Sequence, residues 1–195
     1  MANTIPPDLL LDLYCRGMFP MAVDGELRVF SPDPRGILPI KALRVPHGAR
    51  AALNDPAWEV RIDNCFEEVV RACACRQETW IDERILQSCL ELHSMGFAHS
   101  VEVWRNGALA GGLYGIAIGG AFFGESMFHI VSGASKVALC RLTAMLADGG
   151  FLLHDTQWVT PHLAGFGGVE IPRATYLDLL ARALEAKTSG PLARG

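Results

Sequence analysis

Along the chain the spacing of apolar positions changes several times, and each change marks an element. "PPDLLLDLYCRGMF" carries a short helical pattern, with Asp8 as N-cap candidate behind two prolines and Gly17 as its stop. "ELRVFSPDPRGILPI" reads as strand, turn and strand; Pro32, Pro34 and Gly36 make the turn, and Asp33 can bond its own backbone there. "WEVRID" alternates with strand period. "NCFEEVVRACAC" sets Phe66, Val69, Val70 and Cys73 at helical spacing behind Asn64 as cap. "IDERILQSCLELHSMG" does the same with Ile85, Leu86, Cys89, Leu90 and Leu92, and stops at Gly96.

The period then becomes that of strands. Val101 and Val103 alternate with polar neighbours, Asn106-Gly107 is a strong hairpin signal, and Gly119-Gly120 supplies a second tight turn. The expected result is a three-stranded antiparallel meander. "SKVALCRLTAMLADGG" returns to helix, "FLLHDTQWV" and "GVEIP" are strands, and "RATYLDLLARALEA" is a final helix. The tail "KTSGPLARG" is expected to be loose. Helices and runs of strands in this order make an α+β chain, compatible with an acetyltransferase-type fold.

Composition narrows the class. The chain has 195 residues, half of them hydrophobic and 19% charged, which suits one domain of ordinary size or a domain with a small extra lobe. A net charge of −4 disfavours a protein that coats nucleic acid non-specifically, although a local basic patch would still bind. No apolar run reaches the roughly 18 residues of a membrane span, and the N-terminus lacks the basic start and cleavage site of a signal peptide. Six scattered cysteines, with Cys73 and Cys75 as a CxC and no second pair, favour thiols in a reducing cytoplasm over a zinc site.

Few residues offer chemistry. Glu125 follows Gly124 at the end of an apolar strand and sits among aromatics, where it either caps a loop or binds a cation in an apolar cleft. Asp155 and Gln157 are one residue apart on a strand, so alternation puts both on one face, opposite His154 and Thr156. They either orient a proton there or simply decorate an exposed strand end. Ser135-Lys136 opens a helix whose free N–H groups suit phosphate or sugar. His154, Asp155 and His162 have no metal-ligand spacing, and no Walker loop or GxGxxG is present. Trp104 and Tyr114 are expected in facing strands beside one glycine-rich cleft, as core or as stacking platforms.

The segments "YCRGMFPM", "SPDPRG", "TWI", "HSVEVW", "GGLYG", "FFGESMF", "ASKVAL", "DTQ", "PHLAGFGG" and "IPR" occur in that order. Together they resemble the leucyl/phenylalanyl-tRNA–protein transferase family from about Leu13 to Tyr176, and "GGLYG" with "FFGESMF" is the most specific pair. The resemblance implies a small N-terminal lobe (1–45) joined to an acetyltransferase-like domain (46–195) with a mixed sheet flanked by helices. It implies transfer of Leu, and also Phe or Met, from aminoacyl-tRNA to the N-terminal Arg or Lys of acceptor proteins, marking them for N-degron proteolysis. No metal or coenzyme is implied, because the aminoacyl ester is already activated. A cytoplasmic monomer is the expectation.

Carried over residue by residue, the resemblance implies that Asp155 helps remove the amine's proton through Gln157. Glu125 becomes a cleft acid that holds the positive end of the acceptor or the ribose beside it. Trp104, Tyr114, Phe122 and Phe30 become aromatic positions near the aminoacyl-adenosine end, and Ser126, Met127 and Phe128 flank the side-chain pocket. Arg35, Lys41 and Arg44, with Arg16, Arg28 and Arg50 beside them in the sequence, are the candidates for tRNA phosphate. Family members commonly carry tryptophans before the SPDPR turn; here those positions are Val29 and Phe30. Two other readings stay open: a tRNA-binding adaptor without transferase activity, and a CoA-dependent N-acetyltransferase. "HIVSGASK" after Phe128 does not fit the pyrophosphate loop that the second would need.

Overall fold

A computed structural model describes residues 4–75 and 79–193. Seven strands form one sheet in the order β4-β5-β6-β7-β8-β3-β9. They are β3 (Arg35–Ile37), β4 (Trp58–Ile62), β5 (Ala98–Arg105), β6 (Ala108–Ile118), β7 (Ala121–His129), β8 (Leu153–Gln157) and β9 (Val169–Ile171). Helices α1 (Pro7–Cys15), α3 (Phe66–Ala74), α4 (Glu83–Ser94) and α7 (Arg173–Leu184) bury apolar stripes on one face. Helices α2 (His47–Leu53), α5 (Ala134–Asp148) and α6 (Pro161–Gly165) contribute to the core on the other. This is the expected α+β mixed sheet flanked by helices.

The meander forms because its turns are built for it. Asn106 and Gly107 both take positive φ, 51° and 75°, which matches the twist of β5 and β6. Pairing from β4 through β7 is antiparallel; β7 and β8 are parallel, with α5 crossing between them.

Four expectations change. "ELRVF" and "RGI" do not pair with each other: β2 (Glu26–Phe30) pairs with β1 (Phe19–Val23) in a separate two-stranded sheet, whereas β3 enters the main sheet between β8 and β9. Asp8 does not cap α1, whose first residue is Pro7. Asn64 does not cap α3 with its side chain; the buried Glu102 carboxylate on β5 accepts the Asn64 and Cys65 N–H groups instead. The tail is not loose through residue 193, because Leu192 is 1% exposed in the α5-side core and the Ser189 N–H donates to the Gly149 carbonyl. Residues 194–195 lie outside the described residues.

Candidate active site

The parallel pairing of β7 and β8 is short. It joins Ala121 to Leu153, Phe122 to His154 and Phe123 to Asp155, and then the strands part. β7 continues along β6, while β8 turns to β3 and pairs Gln157 with Gly36. A wedge opens where the sheet splits, and a cleft of about 610 Å³ fills it. The split gives both cores access to one space. Leu113, Met127, Leu139, Leu142 and Leu163 line it from the α5 side, and Phe19, Met21, Trp80 and Tyr114 from the α1 side.

Polar groups converge on this apolar lining. Among the described residues, His154 Nδ1, Thr156 Oγ1, Gln157 Nε2 and His162 Nε2 are buried without a hydrogen-bond partner, and all four residues line the cleft. Buried polar atoms are nearly always paired, so four orphans around one cavity mark a site that expects a ligand. Burial pushes the His154 imidazole down to about 4, so it is neutral at pH 7. The Tyr114 hydroxyl sits beside the Cys89 thiol at the α4 side.

Asp155 is 0% exposed and does not face the cleft. Arg35, also 0% exposed, grips it with two bonds, Nε to Oδ1 at 2.9 Å and Nη2 to Oδ2 at 2.6 Å. Tyr176 Oη donates to Oδ2 at 2.7 Å, and the Gln157 backbone N–H donates to Oδ1 at 2.9 Å. Arg35 is held in turn by the Gly17 carbonyl and lies over the rings of Phe19 and Tyr176. Four hydrogen bonds, two of them from a permanent cation, saturate the carboxylate. The alternation that would put Asp155 and Gln157 on one face fails at Gln157. Its φ is 58°, and the Trp158 N–H donates back to the Thr156 carbonyl at 2.6 Å, closing a γ-turn. That strained turn swings the amide into the cleft beside His154 and Thr156.

Glu125 lines the cleft at the β7 bulge, where the register shifts between Tyr114 and Gly115. Its Oε1 accepts the Tyr14 hydroxyl at 2.9 Å. Burial raises its pKa to about 8, the nearby Asp155 adds to this, and the Tyr14 bond and Arg35 oppose it. Folded Glu125 therefore keeps its proton from the ordinary glutamate range up to about pH 8, where the unfolded chain has already released it. The resulting stability is fully present below about pH 4.5 and falls as pH rises to about 8, by at most about 1.4 kcal/mol per unit. Glu125→Gln is expected to flatten that slope in urea titrations at pH 5, 6.5 and 8; parallel slopes for both proteins would refute the shift.

The remaining expected residues separate. Ser126 and Met127 line the cleft. Phe122 is 0% exposed, on the α5-side core, edge-on to His154 at 5.7 Å. Phe128 is buried in the α1-side core. Trp104 is a correction: it pairs with Leu109 on β6 and Glu59 on β4 and stacks under Arg61, away from the cleft. Phe30 packs with Phe19 and Trp158 at ring distances of 6.2 and 6.5 Å, so it supports the mouth without lining it. Val29 is 52% exposed. Arg35 is a second correction, since a fully buried guanidinium bonded to Asp155 cannot meet phosphate. Lys41, Arg44 and Arg50 are exposed; Arg16 and Arg28 are exposed but paired with Asp12 and with Asp24 and Glu26. Sequence reasoning missed Trp158 and Trp80, which bring indole rings to the mouth, and His154, which it turned the wrong way. The only signal for Trp158 was its place directly after Gln157 in "DTQWV".

A mixed sheet split between two parallel strands, with an apolar pocket and convergent unpartnered polar groups in the split, is an acetyltransferase-like fold with a ligand site at the split. Solved structures agree on the fold: L-PGS from Bacillus licheniformis matches 80% of this chain and 66% of its own at TM-score 0.50 and 8% identity. A C-terminal DUF2156 domain from Agrobacterium fabrum matches 90% and 75% at TM-score 0.50 and 12% identity. The family model for leucyl/phenylalanyl-tRNA protein transferase matches residues 37–181. A leucyl/phenylalanyl-tRNA--protein transferase of Akkermansia muciniphila is 50% identical over 191 residues, 95% of this chain and 99% of that protein. One from Phenylobacterium zucineum is 53% identical over 185 residues, 91% of this chain and 83% of that protein. The chain belongs to the leucyl/phenylalanyl-tRNA–protein transferase family and is an aminoacyltransferase. Among the described residues, no helix is long and apolar enough to cross a membrane.

Proposed function

We propose that this cleft holds the aminoacyl-adenosine end of a charged tRNA together with the N-terminus of an acceptor protein. It moves Leu, and also Phe or Met, to the α-amino group of an N-terminal Arg or Lys, and so marks the acceptor for N-degron proteolysis. The observation that carries the reading is the unpartnered Gln157 amide beside an apolar pocket in the split sheet. The Leu113, Met127, Leu139, Leu142 and Leu163 side chains form a pocket that selects apolar side chains by burial and tolerates several shapes.

The free α-amine attacks the ester carbonyl. The Gln157 amide donates to the oxyanion, and the C–O bond to the ribose breaks as that oxygen takes a proton. An α-amine has a pKa of about 7.7–8.0 and Glu125 one of about 8, so a proton passes between them at little cost: the ionised form of Glu125, roughly a tenth of it at pH 7 and half at pH 8, takes the proton from the ammonium. Asp155 acts as a positioning residue: its carboxylate is saturated, and it reaches the cleft through the Gln157 backbone. Tyr114 belongs to the wall of the donor pocket, and Phe30 and Phe122 support it from behind. The reading places the protein in the cytoplasm as a monomer.

The test is transfer of labelled leucine from charged tRNA to peptides beginning with Arg or Ala, with and without ribonuclease. Transfer to the Arg peptide alone, abolished by ribonuclease, is expected. No transfer to either, or equal transfer to both, would overturn the acceptor reading.

A further inference from the structure

Helix α5 begins at the cleft with an open end. It has 15 residues, and its N-cap, Gly133, takes φ 95° and offers no side chain. No acidic residue lies in its first turn. Among the described residues, the Ser135 and Lys136 amides have no partner, so the positive end of the helix dipole is unanswered.

Side chains at the same place repeat the signal. Ser132, Gly133, Ser135 and Lys136 all line the cleft that holds Gln157. Ser135 is 6% exposed and its hydroxyl has no partner among the described residues. His162 Nε2 is buried and unpartnered; burial lowers its pKa, and nearby Lys136 adds a smaller push in the same direction. Among the described residues, no carboxylate is within ion-pair distance of Lys136, although eight of the arginines are paired. Helix α2 packs nearby, since a Cβ on Gly133 would lie 3.1 Å from Ala52 Cβ, and α2 and the segment before it carry exposed Arg50 and Arg44.

We propose that the α5 N-terminus, with Ser135 and Lys136, binds the 5′-phosphate of the terminal adenosine, the phosphodiester that joins it to the rest of the tRNA. The proposal rests on the donor reading above and names the subsite that anchors the donor. Two amide donors, a hydroxyl and an unpaired ammonium are the complement of one phosphate monoanion. Arg50 and Arg44 then continue the basic path along the strand on a protein whose total charge is negative.

The experiment measures binding of two non-hydrolysable probes to the intact protein by calorimetry. They are 3′-leucylamido-adenosine and the same compound with a 5′-phosphate. The phosphorylated probe is expected to bind about tenfold tighter, a ratio that shrinks with added salt. In Lys136→Met, and independently in Ser135→Ala, the ratio is expected to fall toward one, with circular dichroism reporting the fold. A wild-type ratio within twofold, a ratio unchanged in both variants, or no binding of either probe would overturn the proposal. Inorganic phosphate binding as tightly as the phosphorylated probe would reassign the site to free phosphate and overturn it as well. A normal ratio in a protein that transfers nothing from charged tRNA would sink the transferase reading and leave the phosphate site standing.

Discussion

Arg35→Met is expected to lower the unfolding free energy by about 3–5 kcal/mol, because it leaves a buried carboxylate without its cation. For a chain of this length that is a fall of roughly 6–20 °C in melting temperature. Arg35 and Asp155 are both 0% exposed, and the pair is joined at 2.6 and 2.9 Å. Tyr176 and the Gln157 N–H then face a charge they cannot neutralise. The double variant Arg35→Met/Asp155→Leu removes both charges and is expected to recover most of the stability, since apolar side chains often replace a buried pair at little cost. Transfer activity is not expected to return with it. Asp155 Oδ1 anchors the turn that points Gln157 into the cleft, and a leucine cannot accept that N–H. Urea unfolding and initial-rate assays on the wild type and the two variants check both halves. A loss under 1 kcal/mol in Arg35→Met would show that the pair is not the clamp described here, and full activity in the double variant would remove the positioning role of Asp155.

Gly36→Ala is expected to reduce kcat/KM about 100-fold while the fold survives, since displacements near 1 Å at a reacting group cost that much. Gly36 pairs with Gln157 across β3 and β8. A Cβ there would lie 2.5 Å from the Trp158 carbonyl carbon and 2.8 Å from Trp158 Cα and Val159 N. All three are backbone atoms and cannot rotate aside. Either β3 moves off β8 or the Gln157 turn shifts, and the turn is already strained at φ 58°. Gly48→Ala is the matched control, because its Cβ meets nothing within 4 Å. Steady-state kinetics on both variants decide the matter: activity in Gly36→Ala within threefold of the control would show that the Gln157 turn does not set the rate.

The two predictions join residues that lie far apart in sequence and that local patterns could not relate. Helical periods in "NCFEEVVRACAC" and "IDERILQSCLELHSMG" became α3 and α4, and Asn106-Gly107 became the β5–β6 turn, since each depends on neighbours a few residues away. The motif resemblance carried the family, and Glu125, Tyr114, Ser126, Met127 and Gln157 do line one cleft. The sequence also placed Ser135-Lys136 at a helix start.

Tertiary structure alone decided which of these residues face the ligand. Arg35 looked like a surface cation and is instead buried against Asp155, 120 residues away, because β3 joins the main sheet rather than pairing with β2. Trp104 was expected beside Tyr114, but register sets Tyr114 opposite Ser100 and Trp104 opposite Leu109. The alternation rule turned His154 away from the site and set Gln157 on the face of Asp155; the assembled sheet instead turns the His154 face of β8 to the cleft, and positive φ at Gln157 brings its amide round to the same side. Periodicity reports which face of an element is apolar, so the sequence by itself determined the elements, the family and most of the cleft's residue types. It carries no term for where two strands part or which distant charge closes on a carboxylate, and those non-local contacts are what the assembled sheet supplied.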